Sequence, residues 1–351
     1  MKILFTRFPY TSAHGGAENQ TENLMKELVD RGHEMSFLGS CPELLKRCDA
    51  LHIANLNVQI GNPPVTKWDA ISFIWRKIAM KKKLHKALDA MGNIDALCMI
   101  SLSEKILLTP YALKKGIKVV WIEHDTVGDW LAKNPSLPHL KKLSNSVTTV
   151  CVSDLSANIF RELGYQEVIA IPNGVPLPPE NFSKHVFDET LRVGCIARLS
   201  KEKGVDVLVE AVRNAPDTTL LINGKGDEYV QQSATVTVKA EIADINTIYK
   251  EIDVLVLPSR QEDPFGLVVA EAMLRKIPTI CTEACGIAGY LDDGLNTIVV
   301  PAGDSAAITN ALRKMQDSDT RSSIGFAGEK AALEMFTVEK MVENYEKVLN
   351  V

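Results

Sequence analysis

Residues 2–39, KILFTRFPYTSAHGGAENQTENLMKELVDRGHEMSFLG, decide the fold. KILFTRF is an apolar run of strand length, the segment from Ala17 to Arg31 is amphipathic at helical spacing and stops at Gly32, and EMSFLG is strand-like again. A strand, a helix and a strand in this order make the unit of a parallel sheet, because parallel strands can be joined only by a crossover. Downstream, DALCMI (95–100), KVVWIEH (118–124) and TTVCVS (148–153) repeat the apolar runs. The segment IPNGVPLPPENFS (171–183) then interrupts them, since prolines and Asn-Gly stop both helix and ladder. A second series follows: LRVGCIARL (191–199), TTLLING (218–224), SATVTVKA (233–240), DVLVLPS (253–259), PTICTE (278–283) and NTIVVPAG (296–303). Helical segments such as VDVLVEAVRNA (205–215) and GLVVAEAMLRK (266–276) lie between them, and the tail 336–351 is helix-like. The expectation is an α/β chain with two Rossmann-like domains. Residues 1–175 form the first and 176–335 the second, with the terminal helix packing back on the first. Ligands of such domains bind at the carboxyl ends of the strands, in the crevice between domains.

The composition agrees with two packed domains. The chain has 351 residues, 46% of them hydrophobic and 24% charged, a balance that excludes a disordered chain. The first apolar run is too short for a secretory signal, and no run reaches the roughly 18 residues that span a bilayer, so the expected location is cytoplasmic. The cysteines at 41, 48, 98, 151, 195, 281 and 285 form neither a disulfide framework nor paired zinc spacing, and are expected to be reduced thiols. No metal and no nucleic-acid partner is expected.

Charge is unevenly spread. Through Glu180 there are 21 Lys and Arg against 18 Asp and Glu; beyond it there are 18 against 26. The positive excess gathers in the segment WDAISFIWRKIAMKKKLHKAL (68–88), where Ile71, Ile74, Trp75 and Ile78 form an apolar stripe beside Lys81, Lys82, Lys83 and Lys86. Such a helix either packs its stripe into the core and solvates its basic side, or docks peripherally on the anionic inner face of a membrane.

Three motifs in order, HGGAE (14–18), ARLSKEKGVDVLVEA (197–211) and PSRQEDPFGLVVAEAM (258–273), resemble the retaining glycosyltransferases of the GT-B fold, the large glycosyl transferases group 1 family (glycosyltransferase family 4-like). The resemblance covers nearly the whole chain and implies two facing Rossmann-like domains across a deep cleft. It implies that Arg198 and Lys203 contact the diphosphate of a nucleotide-sugar donor. That role suits their positions, since a diphosphate needs cations on rigid elements and backbone donors at a helix start. The family carries two acids eight apart, usually both Glu. Here they are Asp263 and Glu271, around Pro264, Phe265, Gly266 and Leu267. By resemblance Asp263 lies near the donor sugar hydroxyls and Glu271 holds the ribose, while Glu262 could substitute for the shorter Asp263. Gly224 follows a strand where the nucleotide is approached by a loop, and Lys239 sits where backbone groups recognise the base. In the first half, Gly15 and Gly16 open a helix that can aim amides at phosphate or sugar, and His124 matches a histidine near the reacting centre.

The implied reaction moves a hexose-type sugar from a nucleotide diphosphate sugar to a hydroxyl of a saccharide or lipid-linked acceptor, with retention. The acceptor attacks on the face from which the diphosphate departs, no protein nucleophile takes part, and no cofactor is needed beyond the co-substrate. Arg198, Lys203 and glycine-loop amides would stabilise the departing charge. Two other classes remain open: a catalytically silent binding relative, and a nicotinamide oxidoreductase, whose three-glycine spacing the segment after the first strand lacks.

Overall fold

The computed structural model describes residues 1–10, 15–125, 129–183, 190–240, 242, 244–261 and 263–350. The chain forms two compact units, residues 1–174 with 338–351, and residues 175–337.

The first unit holds a seven-stranded parallel sheet. Its strands are β1 (Lys2–Arg7), β2 (Glu34–Gly39), β3 (Ala54–Asn57), β4 (Ala96–Met99), β5 (Lys118–Glu123), β6 (Thr148–Cys151) and β7 (Val168–Ala170), in the spatial order β3-β2-β1-β4-β5-β6-β7. Strand order reverses between β1 and β4. Side chains alternate strictly along β1: Leu4 enters a cluster with Leu97, Met99 and Trp121, while Ile3 and Phe5 enter another with Cys98, Val120 and Ile122. A parallel sheet is covered on both faces, and its strands therefore read as continuous apolar runs. The helix Gly16–Asp30 covers the second face with Leu24, Met25 and Leu28. The terminal helix Val338–Leu349 joins it there, burying Met341, Val342, Tyr345 and Leu349 in the same cluster. Glu346 on that helix pairs with Arg31 at 3.0 Å.

The second unit holds a six-stranded parallel sheet of β8 (Leu191–Ile196), β9 (Thr218–Asn223), β10 (Val236–Lys239), β11 (Val254–Leu257), β12 (Thr279–Thr282) and β13 (Ile298–Val300), in the order β10-β9-β8-β11-β12-β13. Here the order reverses between β8 and β11. Val205, Leu208, Val209 and Val212 of the helix Val205–Arg213 pack on Val193, Ile222 and Val256. All seven cysteines are buried and free.

The expected strand runs all appear as strands, and β3 and β7 are additional. Both are edge strands and short. ANLN is polar and half exposed, and VIA has three residues, so neither carries the apolar run that marks an interior strand.

Because Tyr345 is buried against β1 and its helix, Tyr345→Ala should lower unfolding free energy by about 3–5 kcal/mol, the cost of deleting a large buried side chain. Urea denaturation followed by circular dichroism would measure it, and a loss under about 1 kcal/mol would mean the terminal helix contributes little to the first unit.

Candidate active site

Ligands of open parallel sheets bind outside the carboxyl ends of the strands where the order reverses. Each sheet of this chain has one such point, and the candidate residues gather at both.

In the second unit, β8 ends at Ile196 and the chain continues through exposed Arg198 into a single turn, Lys201–Lys203. Gly204 then adopts φ +63°, and a Cβ there would lie 2.2 Å from the carbonyl oxygen of Pro258, just beyond β11. Only glycine permits both the left-handed turn and this approach, which locks the Lys203 turn against the neighbouring switch-point strand. The ammonium of Lys203 meets the Asp263 carboxylate at 2.5 Å. Asp263 is held from several sides: its Oδ2 also accepts from the Ser259 hydroxyl at 3.3 Å, its Oδ1 accepts from the Phe265 N–H at 3.3 Å, and its backbone pairs with Ala284 and Gly286. The lysine and the first acid are thus one unit, with Asp263 buried and Lys203 half-buried. Lys201, one turn position away, is exposed.

Several neighbours have structural duties. The Phe265 ring is buried edge-on to Phe336 at 5.6 Å, and its carbonyl accepts from Ile287 N–H. Gly266 takes φ +99° and opens the helix Leu267–Met273, with Leu267 half-buried at its start. Gly224 packs on the end of β8 so closely that a Cβ would lie 1.9 Å from Ala197 O, a packing reason for glycine independent of any ligand. Lys239 pairs with Glu251 at 2.7 Å, while its carbonyl accepts from Gly224 N–H. Glu262 lies outside the described residues.

Glu271 lies in the helix Leu267–Met273 and accepts a 2.6 Å hydrogen bond from the Tyr249 hydroxyl. The Arg275 guanidinium stacks 4.7 Å from the Tyr249 ring and donates to Glu271 O. Burial raises the Glu271 carboxyl above the ordinary range, the Tyr249 bond and Arg275 opposing it. The second carboxylate oxygen has no partner among the described residues.

In the first unit, a cavity of about 300 Å³ opens at the ends of β1, β4 and β5, lined by Arg7, Ser101, Lys105, Glu123, His124 and Asp125, with Tyr10 and Trp130 half open to solvent. Arg7 pairs with Glu18 at 2.6 Å and Lys105 with Glu123 at 2.7 Å, while Asp125 is exposed and has no ion pair among the described residues. Gly15 begins the helix Gly16–Asp30 without a side-chain cap. Glu18, in the first turn, already places a carboxylate at that positive helix end. His14 lies outside the described residues. His124 Nε2 sits 3.3 Å from Thr21 Oγ1, whose own proton goes to Ala17 O at 2.8 Å. The histidine must therefore donate through Nε2, leaving Nδ1 as an acceptor with no partner among the described residues. Burial, with Arg7 and Lys105 nearby, depresses its pKa to about 3, so the ring is neutral at ordinary pH. A neutral acceptor suits a hydroxyl donor and does not suit an imidazolium role.

Arg7, Lys105, Tyr249 and Ser259 were not among the expected site residues. Arg7 carries the same signal as Arg198, an arginine closing an apolar switch-point strand. Tyr249 carries none, since tertiary packing alone brings it to Glu271 from another helix, whereas Ser259 stands only four residues before Asp263 in the same motif.

Comparison with known proteins supplies the family. The profile of glycosyl transferases group 1 matches residues 190–318, and that of glycosyltransferase family 4 matches residues 14–177. An uncharacterised glycosyltransferase of Methanocaldococcus jannaschii is 24% identical over 99% of this chain and 97% of its own. The N-acetyl-alpha-D-glucosaminyl L-malate synthase of Bacillus anthracis is 23% identical over 99% and 96%. Among solved structures, HepE of Anabaena in complex with UDP superposes with a TM-score of 0.81 at 19% identity over the full length of both chains. The two profiles together take in most of the chain, and the chain belongs to the GT-B glycosyltransferases of group 1. It is a glycosyltransferase.

Glu104 offers a pH test of the first-unit site. It is fully buried beside Lys105, one oxygen accepting from Ser101 N–H at 2.6 Å and the other without a partner among the described residues, and burial pushes its pKa up to about 8. Between its ordinary 4.5 and about 8 the folded chain keeps a proton that the unfolded chain releases, so this group costs stability progressively as pH rises through that window. Glu104→Gln should therefore gain on the natural protein as pH rises from 5 to 8, measured by urea denaturation at both values. A difference independent of pH would mean that Glu104 titrates as an ordinary carboxyl.

Proposed function

We propose that the protein moves a hexose-type sugar from a nucleoside diphosphate sugar to a hydroxyl of a saccharide or lipid-linked acceptor, with retention of anomeric configuration and without a protein nucleophile. The observation that carries this reading is the second-unit switch point: exposed Arg198 follows β8, Lys203 stands on a glycine-locked turn beside buried Asp263, and Glu271 keeps one carboxylate oxygen for a hydroxyl. Cations fixed by backbone geometry stabilise charge developing on a departing diphosphate without reorganising during the reaction. The likeness to HepE, solved with UDP and with UDP-glucose, makes uridine diphosphate sugars the first donors to test. On the first unit, neutral His124 offers its free Nδ1 lone pair to a sugar hydroxyl. Retention fits the motif resemblance and a front-face attack, with a diphosphate oxygen taking the acceptor proton.

The test is a thermal-shift and hydrolysis screen with UDP-, GDP- and ADP-sugars on the natural protein, Lys203→Ala and Glu271→Ala. One donor should raise the melting temperature of the natural protein, and Lys203→Ala should weaken its binding by about 10- to 100-fold, the loss of one charge-assisted contact. If no donor binds the natural protein, the catalytically silent reading replaces this one. The anomeric coupling of the product, read by NMR, decides retention.

Both Asp263 oxygens serve Lys203, Ser259 and Phe265, so Asp263 acts on the donor through Lys203. Asp263→Asn should then weaken free nucleoside diphosphate and sugar nucleotide alike, in calorimetric titrations. A carboxylate that held only sugar hydroxyls would leave the free diphosphate unchanged.

A further inference from the structure

The 24-residue helix Lys67–Ala90 bears two apolar stripes. One, made of Phe73, Met80, Leu84, Ala87 and Leu88, is buried in the first-unit core. The other is Trp68, Ile71, Ile74, Trp75 and Ile78. It faces solvent: Trp68 is 77% exposed, Trp75 72% and Ile78 64%. At about 100° per residue these five positions fall within one arc of roughly 120°, opposite the buried stripe. The core-packing alternative raised by the sequence is thus answered by a different set of residues, and the Ile71 to Ile78 stripe is left uncovered.

The basic residues belong to the same exposed surface. At helical spacing Lys82 and Lys86 continue the stripe toward the helix end, and Lys81 flanks it. All three are exposed, and none has an ion-pair partner among the described residues. Isolated surface apolar residues are ordinary, but two tryptophans and three isoleucines in one contiguous patch mark an interaction surface.

We propose that this face docks on an anionic lipid bilayer, lying in the interface plane with the tryptophans among the headgroups and the lysines on lipid phosphates. Tryptophan favours that boundary, and lysine stems extend along apolar surface while the ammonium reaches the charged layer. Among the described residues no helix is long and apolar enough to cross a membrane, so the contact is peripheral. A second copy of the chain fits the face less well. Parallel pairing would set the lysine clusters against each other, and antiparallel pairing would set them against the partner's apolar stripe. The position also has a consequence for the acceptor. Pro63 and Val65, in the loop leading directly into the helix, line the His124 cavity, and Asn134 Nδ2 pins that loop through Pro64 O at 2.7 Å. A helix resting on a bilayer would hold this wall of the cavity near the lipid surface, where a lipid-linked acceptor is presented.

Flotation of the full chain with vesicles tests the proposal, using phosphatidylcholine alone and phosphatidylcholine mixed with phosphatidylglycerol. The natural protein should float with the anionic vesicles and remain behind with the neutral ones. Lys81→Glu with Lys82→Glu should lower the partition by at least about tenfold, since each lysine near an anionic surface contributes several-fold. Trp68→Ser with Trp75→Ser should abolish flotation while leaving thermal stability unchanged, because both side chains are exposed. Failure of the natural protein to bind anionic vesicles, or unchanged binding by both variants, overturns the proposal. So does light scattering that shows a dimer which the tryptophan variant dissolves, which would assign the face to a second copy. None of these readouts uses donor or transfer, so they stand or fall apart from the proposed reaction.

Discussion

A parallel strand can be followed by its neighbour only after the chain has crossed back over a face of the sheet, and this constraint organises the molecule. Each crossover places a helix on one face or the other, so both faces are covered and strand side chains on both sides must be apolar. Each crossover also leaves its first turn at the carboxyl end of the strand before it. Where strand order reverses, the turns depart in opposite directions and leave a crevice between them. In both units most of the candidate residues lie there, while Lys239 ends the edge strand β10.

The two switch points are built alike and furnished differently. An arginine stands at the carboxyl end of each central strand, Arg7 as the last residue of β1 and Arg198 two residues beyond β8. Arg7 is neutralised by Glu18 within the first turn of its own helix, beside the second buried pair of Lys105 and Glu123. Arg198 stays exposed, and its companion Lys203 leans on Asp263. The second unit therefore keeps one exposed cation, Arg198, beside a lysine already held by a buried carboxylate. The first offers two ion pairs, an exposed Asp125, a neutral histidine and aromatic walls.

Much of this was legible beforehand because it follows from local pattern. Interior strands of a parallel sheet must be apolar runs, and those runs were visible. Edge strands β3 and β7 were not, since an edge strand is half solvated and needs no such run. The turn at Lys203 and Gly204 was readable from its residues, as was the Asp263 to Glu271 spacing. What could not be read was the use of each group. Phe265 belongs to the core through Phe336, 71 positions away in the chain. Tyr249 reaches Glu271 from another helix, and Thr21 sets the tautomer of His124 across two elements.

The amino-acid sequence by itself determined the alternation of strand and helix, the family, and the residue types at the carboxyl ends of the strands, because these depend on periodicity and on short-range turn chemistry. Tertiary structure alone decided which carboxylates are occupied by protein partners, which nitrogen of His124 is left bare, and which of two apolar stripes on the helix Lys67–Ala90 meets the core. Those depend on contacts between residues distant in the chain, and a stripe's composition is the same whether it faces protein or solvent.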